Sequence, residues 1–241
     1  MPTSCKLYKL TNKPEYVSLF YDLFIRDKKV HVFDKIQVEQ KVTEMKLYVE
    51  PEKEDVSNIY IDLISSYWNK DEGTGFYKYT ESAKIVIFNP GDSLNILGIL
   101  APRWLEKQIT YTIFKITQQK NSSIKEISEL LMPITLKLFE KEKDIQRVFP
   151  NITTLWIRDI QDIFITTAAL GGTTVQASSE FHQLTKTKGG KIRTIKFRYL
   201  AYTFVISEDG LIMSYSDLSS DEVKNTFGAI IETLFNLGVI N

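Results

Sequence analysis

The chain has 241 residues, 43% of them apolar, and its 30 Lys plus Arg are balanced by 30 Asp plus Glu. That length and apolar content can bury a substantial core without staples, and a zero net charge leaves no whole-molecule field to draw in nucleic acid or an acidic membrane. The single cysteine, Cys5, excludes an internal disulfide and a cysteine cluster for zinc; MPTSCKLYKL lacks the apolar core of a signal peptide, and no apolar run nears the roughly 20 residues of a membrane-crossing helix, so a cytoplasmic protein without a membrane span is expected.

From the N-terminus, NKPEYVSLFYDLFIR sets Tyr16, Leu19, Phe20, Leu23 and Phe24 at helical spacing with Pro14 in a first turn, which predicts an amphipathic helix over 13–26. Ile36, Val38 and Val42 share one strand phase and Met45, Leu47 and Val49 the other, predicting strands with a bulge or turn near Thr43. EPEKEDVSN reads as a charged connector. IYIDLISSYW fits strand or helix. Gly73 and Gly75 mark a turn, and FYKYTESAKIVIF gives one or two strands ending at Asn89–Asp92. The loop FNPGDS reads as a turn with a helix cap at Asp92 or Ser93, and ITYTIFKI, residues 109–116, continues the sheet.

Ser123 and Glu126 have capping-box spacing, and Ile124, Ile127, Leu131, Ile134 and Leu138 recur at three and four, predicting a helix over 123–147 kinked at Pro133. NSSIKEISELL resembles the second helix of a helix-turn-helix, but Pro133 stands where the turn should begin, so an ordinary amphipathic helix is the reading. TTLWIRDI and IFITTAAL read as strands. Residues 175–188 and 191–206 flank Gly189-Gly190 as a two-residue hairpin would. Ser219 and Glu222 repeat the capping-box spacing before a closing helix bearing Val223, Phe227, Ile230, Ile231 and Leu234, with Gly238 past its end. The fold class is α+β: an antiparallel-rich sheet or sheets with packed helices, and a C-terminal strand meander closed by a helix. TQQKNSS suggests subdomains 1–117 and 118–241, or one continuous domain.

Between Phe181 and Ser207 the chain places six cations, Lys186, Lys188, Lys191, Arg193, Lys196 and Arg198, and no carboxylate. With Phe197, Tyr199 and Tyr202 nearby these are the ingredients of a phosphate-contacting hairpin. Alternation along a strand sets Lys191 and Arg193 opposite Lys196 and Arg198 unless a bulge intervenes, which reduces the hairpin to an auxiliary anion contact. Asp159 and Asp162 in RDIQD are two carboxylates without a third ligand for a hard cation. His31 and His182, both in strand contexts, lack a nucleophile partner, and Cys5 lies in a loose terminus. No motif calls for a cofactor or metal or marks a catalytic residue.

The stretch FVISEDGLIMSYSDLSSDEVKNTFGAIIETLFNLG, with its Glu208-Asp209-Gly210 turn and the helix face at Gly228, Ala229, Ile230 and Ile231, resembles the strand, turn, strand and helix of roadblock and longin-type domains. The resemblance covers about 35 residues and implies a non-catalytic platform that dimerises or binds small GTPases. The expected function is therefore a non-enzymatic protein–protein interaction module, an adaptor or dimerising scaffold. The alternative is a nucleic-acid-binding protein using 185–198, and the third reading is an unrecognised enzyme.

Overall fold

The structure, a computed structural model, describes residues 3–26, 30–38, 41–53, 55–69, 73–91, 94–173 and 175–240, and within 30–48 and 58–79 it gives the course and pairing of the backbone. Helices and antiparallel strands mix along the whole chain, an α+β protein as expected. The chain forms two compact units, Tyr8–Met132 and Met1–Leu7 with Pro133–Asn241.

The unit Tyr8–Met132 takes the last residues of β1 (Thr3–Leu10) and then α1 (Pro14–Tyr21), with Pro14 in its first turn. A π-helical turn, Asp22–Arg26, extends α1, and the two bury Tyr16, Phe20, Leu23, Phe24 and Ile25, as the spacing predicts. An antiparallel meander of β2 (Val30–Val38), β3 (Lys41–Lys53), β4 (Val56–Asn69), β5 (Gly73–Phe88) and β6 (Ile96–Leu100) follows in chain order. Thr43 pairs with Ile36 inside β3, and the bulge or turn expected near it is a bulge, a register shift between Phe33 and Ile36 opposite Thr43 to Met45. The side chains of Ile36, Val38, Val42, Met45 and Leu47 lie outside the described residues.

EPEKEDVSN is a hairpin reversal and not a connector: Glu50 pairs with Asn58 and Pro51 with Ser57, and Asp55 turns the chain at φ 62°. Gly73 and Gly75 lie inside β5, opposite Asn69 and Tyr67, and so are strand residues and not the turn. After Asn89–Gly91 the chain enters β6, so no helix is capped there; Asp92 and Ser93 lie outside the described residues.

Residues 109–116, expected as strand, form the middle of α2 (Arg103–Lys120). ITYTIFKI alone has a strand's alternation, but Leu105, Ile109, Ile113 and Ile116 recur at helical steps and all are buried; the longer stripe decides the period. Thr110, Thr112 and Thr117 are buried on the same helix, their hydroxyls donating at 2.7 to 2.8 Å to carbonyls one turn back, which satisfies these donors within the helix.

The helix expected over 123–147 does not form. Ser123 bonds Asn121 rather than capping a helix, one turn follows as α3 (Ile127–Leu130), and the chain extends as β7 (Leu131–Pro133). Pro133 offers no N–H to a helix and disfavours helical backbone before it, so the buried Ile124, Leu131, Ile134 and Leu138 are used from extended chain and turns instead. The expected linker, 117–123, is the end of α2 and its following turn. The two compact units divide at Leu7/Tyr8 and at Met132/Pro133.

The other unit continues with α4 (Glu142–Val148), β8 (Ile152–Arg158), β9 (Ala168–Gly171), a 3-10 turn at Val175–Ala177 and α5 (Ser179–His182), which runs on as a π-helical turn, Gln183–Thr187. Then come β10 (Lys191–Tyr199), β11 (Tyr202–Ser207), β12 (Leu211–Ser214), α6 (Ser220–Glu222), a π-helical turn at Val223–Phe227 and α7 (Gly228–Asn236). Its strand order is β1, β12, β11, β10, β8, β9, with antiparallel neighbours. The meander closed by a helix is as expected: Val223, Phe227, Ile230, Ile231 and Leu234 are buried, and Phe227 meets Phe204 of β11 edge-on at 5.9 Å. The Ser219–Glu222 capping box forms in both directions. Past α7, Gly238 at φ 67° lets its own N–H reach Phe235 O and that of Val239 reach Leu234 O, both at 2.8 Å, a Schellman ending.

Gly189-Gly190 is not a hairpin turn. Ser178 caps a helix by accepting from Phe181 N at 3.1 Å, and Gly189, at φ 67°, ends it, with Gly190 N donating to Leu184 O at 2.9 Å. The hairpin is the next one, β10 with β11, turning at Leu200, φ 53°. Phe181, Leu184 and Thr185 supply the helical spacing that a strand reading of 175–188 overlooks.

Candidate functional site

Strand β10 carries four of the six cations, and a bulge decides which way they face. Against β8, Ile192 pairs with Ile157 but Thr194 with Trp156, so Arg193 is the extra residue. The extra residue resets the alternation. Ile192, Ile195 and Phe197 are buried, while Lys191, Arg193 and Arg198 are exposed and Lys196 half-buried. The buried set faces the helices, as Phe197 stacks near Phe149 at 4.4 Å and Phe204 on Phe227. The expected division of the cations between two faces is therefore corrected: all four lie off the core face. The other two are elsewhere. Lys186 projects from the π-helical turn within electrostatic reach of Glu142, and Lys188 is bound to Asp162.

The aromatics expected to stack beside these cations are on the wrong side. Phe197 is fully buried, Tyr199 packs on Phe149 and Phe204, and Tyr202 donates its hydroxyl to Glu222 at 2.6 Å. Those that do share the cationic face come from other strands. Tyr215, half-exposed just past β12, has Lys196 Nζ 4.5 Å above its ring, and the part-exposed Trp156 of β8 stands opposite Thr194. No local pattern in the sequence marks either; only the strand order brings them to β10.

A second feature is the loop between β8 and β9. IFITTAAL, expected as strand, gives only its last three residues to β9, and Ile163 and Phe164 are each 91% exposed. The loop is tightly built. Asp159 takes φ 58°, Ile160 N donates to Thr166 O at 3.1 Å, and Gln161 N donates to Lys188 O at 2.8 Å. Asp162 accepts from Phe164 N at 2.9 Å and Ile165 N at 3.3 Å, and Lys188 binds its other oxygen. Lys188 first, then the Phe164 N–H, lowers the Asp162 pKa. The two carboxylates of RDIQD thus fold the loop, Asp159 lying 3.5 Å from Arg158 Nε. Among the described residues no three or more His, Cys, Asp or Glu gather as a metal site.

Cys5 lies in β1 opposite Ile212, wholly buried and not loose, and burial pushes its thiol pKa up. His182 belongs to α5 and not to a strand; the side chain of His31 lies outside the described residues. In the unit Tyr8–Met132, a cleft of about 510 Å³ is lined by Asn12, Pro14, Val17, Ser18, Tyr21, Arg26 and Asn95, where burial raises the Tyr21 hydroxyl to about 12. A phenol held protonated there donates a hydrogen bond but is no base at neutral pH. Among the described residues no helix is long and apolar enough to cross a membrane.

No family model matches the chain, and no curated protein does. Among solved structures, the crystal structure of the di-domain ARO/CYC StfQ from the steffimycin biosynthetic pathway aligns with 99% of this chain and 97% of its own, at 7% identity and a TM-score of 0.20. A likeness of that size carries no argument about fold or activity.

Proposed function

We propose that the protein is a non-catalytic protein–protein interaction module, and that it engages its partner through the loop Asp159–Thr167. One observation carries this reading: Ile163 and Phe164 stand 91% exposed on a loop whose backbone is fixed by Asp162. Burying both side chains on a partner would contribute about 3 to 6 kcal/mol before association costs, and a loop already held in shape loses little further entropy on docking. That combination is what an interface anchor requires. A homodimeric or small-GTPase-associated platform in the cytoplasm, as the roadblock and longin resemblance implies, is the finer form of the same proposal.

The test is a comparison of wild type with the double variant Ile163→Ser/Phe164→Ser. Both are run on a sizing column with light scattering and used as bait for partner capture from the source cell. The proposal is supported if wild type self-associates or retains a defined protein that purifies with it in direct binding, and if the double variant loses that association with an unchanged melting temperature. Equal retention by both proteins, or a monomer that binds nothing, overturns it.

A further inference from the structure

The cationic face of β10 lies apart from the loop and has its own chemistry. Lys191, Arg193, Lys196 and Arg198 make no ion pair among the described residues, whereas the neighbouring Arg158, Lys188 and Lys6 are matched by Glu208, Asp162 and Asp209. Charge is neutralised around this row and left open within it. Lys196 and Arg198 are two residues apart on one strand face, about 7 Å, and β12 and β8 bring Tyr215 and Trp156 to either side of β10. Thr203, Thr194 and Thr154, all part-exposed, occupy the positions between them.

We propose that this sheet face binds single-stranded nucleic acid, with the four cations on phosphates and Tyr215 and Trp156 stacking on bases. Cations without a carboxylate partner match a polyanion, and partly exposed rings beside a row of cations match unpaired bases, whose faces a duplex keeps covered. An acidic protein segment would use the cations but has no need of the rings. The face offers phosphate and base contacts that RNA and DNA share, and the 2′-hydroxyl separates the two in the assay.

The experiment is fluorescence anisotropy of the full chain with labelled 15-nucleotide oligo-U, oligo-dT and a 15-base-pair duplex, at 50 and 200 mM salt. Four phosphate contacts on a single strand give a slope near −2.8, so affinity should fall roughly 50-fold between the two salts. Lys196→Glu/Arg198→Glu removes two contacts, which should weaken binding and cut that fall to about 7-fold. Tyr215→Ala should cost between about 5- and 150-fold. Lys186→Glu, a cation of the same segment but on the helical turn, should change neither affinity nor slope by more than about twofold. Circular dichroism melts confirm that each variant folds, and Lys196→Met provides a milder form of the reversal.

Tighter binding of oligo-U than oligo-dT would identify RNA as the ligand, and the reverse DNA. No binding to either strand at 50 mM salt overturns the proposal, as does binding that survives the reversal. Preference for the duplex, indifference to Tyr215→Ala, or equal competition by poly-glutamate would each overturn the single-strand reading, the last in favour of an acidic protein. The Ile163→Ser/Phe164→Ser variant should bind nucleic acid like wild type, so this proposal and the interaction module can fail separately.

Discussion

Lys188 and Asp162 are bound side chain to side chain across 26 residues, joining the end of the α5 helical segment to the tip of the β8–β9 loop. The Asp162 carboxylate organises the loop from both oxygens, one taken by the ammonium and the other by two backbone N–H groups. Asp162→Ala should speed amide hydrogen exchange at Phe164 and Ile165 by up to about tenfold and weaken partner binding, while the global unfolding midpoint stays near wild type. The Asp162 pKa is lowered in the fold, so its contribution is complete above the ordinary carboxylate value near 3.9 and fades as pH falls through the lower folded value. Loop exchange should accelerate in that acid range and be insensitive to pH effects of this kind from 5 to 8.

The capping box supplies a second acid-sensitive contact. Tyr202 first, then the Ser219 backbone and hydroxyl, pull Glu222 down to about 2. Its contribution is therefore intact above about 4.3 and lost as pH falls toward 2. Tyr202→Phe should raise the Glu222 pKa toward 4.3 in an NMR titration and move acid unfolding to higher pH. Ser219→Ala should cost about 1 kcal/mol in urea denaturation.

The two adjacent glycines should respond to alanine for different reasons. At Gly189 the obstacle is the positive φ, worth about 1 to 2 kcal/mol. A Cβ on Gly190 would lie 2.6 Å from Ile157 Cγ2 and 2.8 Å from the Leu184 carbonyl oxygen, and a backbone oxygen cannot step aside as a side chain does. Gly190→Ala should therefore be the more destabilising, by about 1 to 3 kcal/mol or more, with chemical shift changes at Ile157 and Leu184. An equal or smaller loss than at Gly189 would contradict this packing.

Phe227 is fully buried against Phe204. Phe227→Ala should destabilise the unit holding β8 to β12 by about 3 to 5 kcal/mol, read as a lower urea midpoint, whereas Phe235→Ala, a half-exposed position on the same helix, should cost markedly less.

What the sequence made legible was whatever a local period or cap encodes. The α1 stripe, the Ser219–Glu222 box, the Gly238 ending and the Val223 to Leu234 face all depend on residues within a few positions of each other, and all formed. ITYTIFKI failed because an eight-residue window cannot weigh Leu105, one turn outside it, and the 123–147 helix failed because an apolar stripe was allowed to outvote Pro133. The site was the least legible part. A single bulged residue, Arg193, reverses the facing of everything after it, and no residue type announces a bulge. Tyr215 and Trp156 reach β10 only through strand order, while the solvent position of Ile163 and Phe164 runs against their own hydrophobicity and so against every pattern that sequence reading uses.

Strand β1 gives its first residues to one unit and its last to the other. Thr3 to Lys6 pair with Ser214 to Leu211, and Lys6 binds Asp209, 203 residues away. Closing that span costs about 2.5 kcal/mol more chain entropy than closing a hairpin of about 12 residues. During synthesis these residues wait without their pairing strand until Leu211–Ser214 have emerged. Removal of Thr3–Lys6 would then be felt not by its neighbours in sequence but by β12, and a nascent-chain arrest series should show β12 acquiring protease resistance only when Thr3–Lys6 are present.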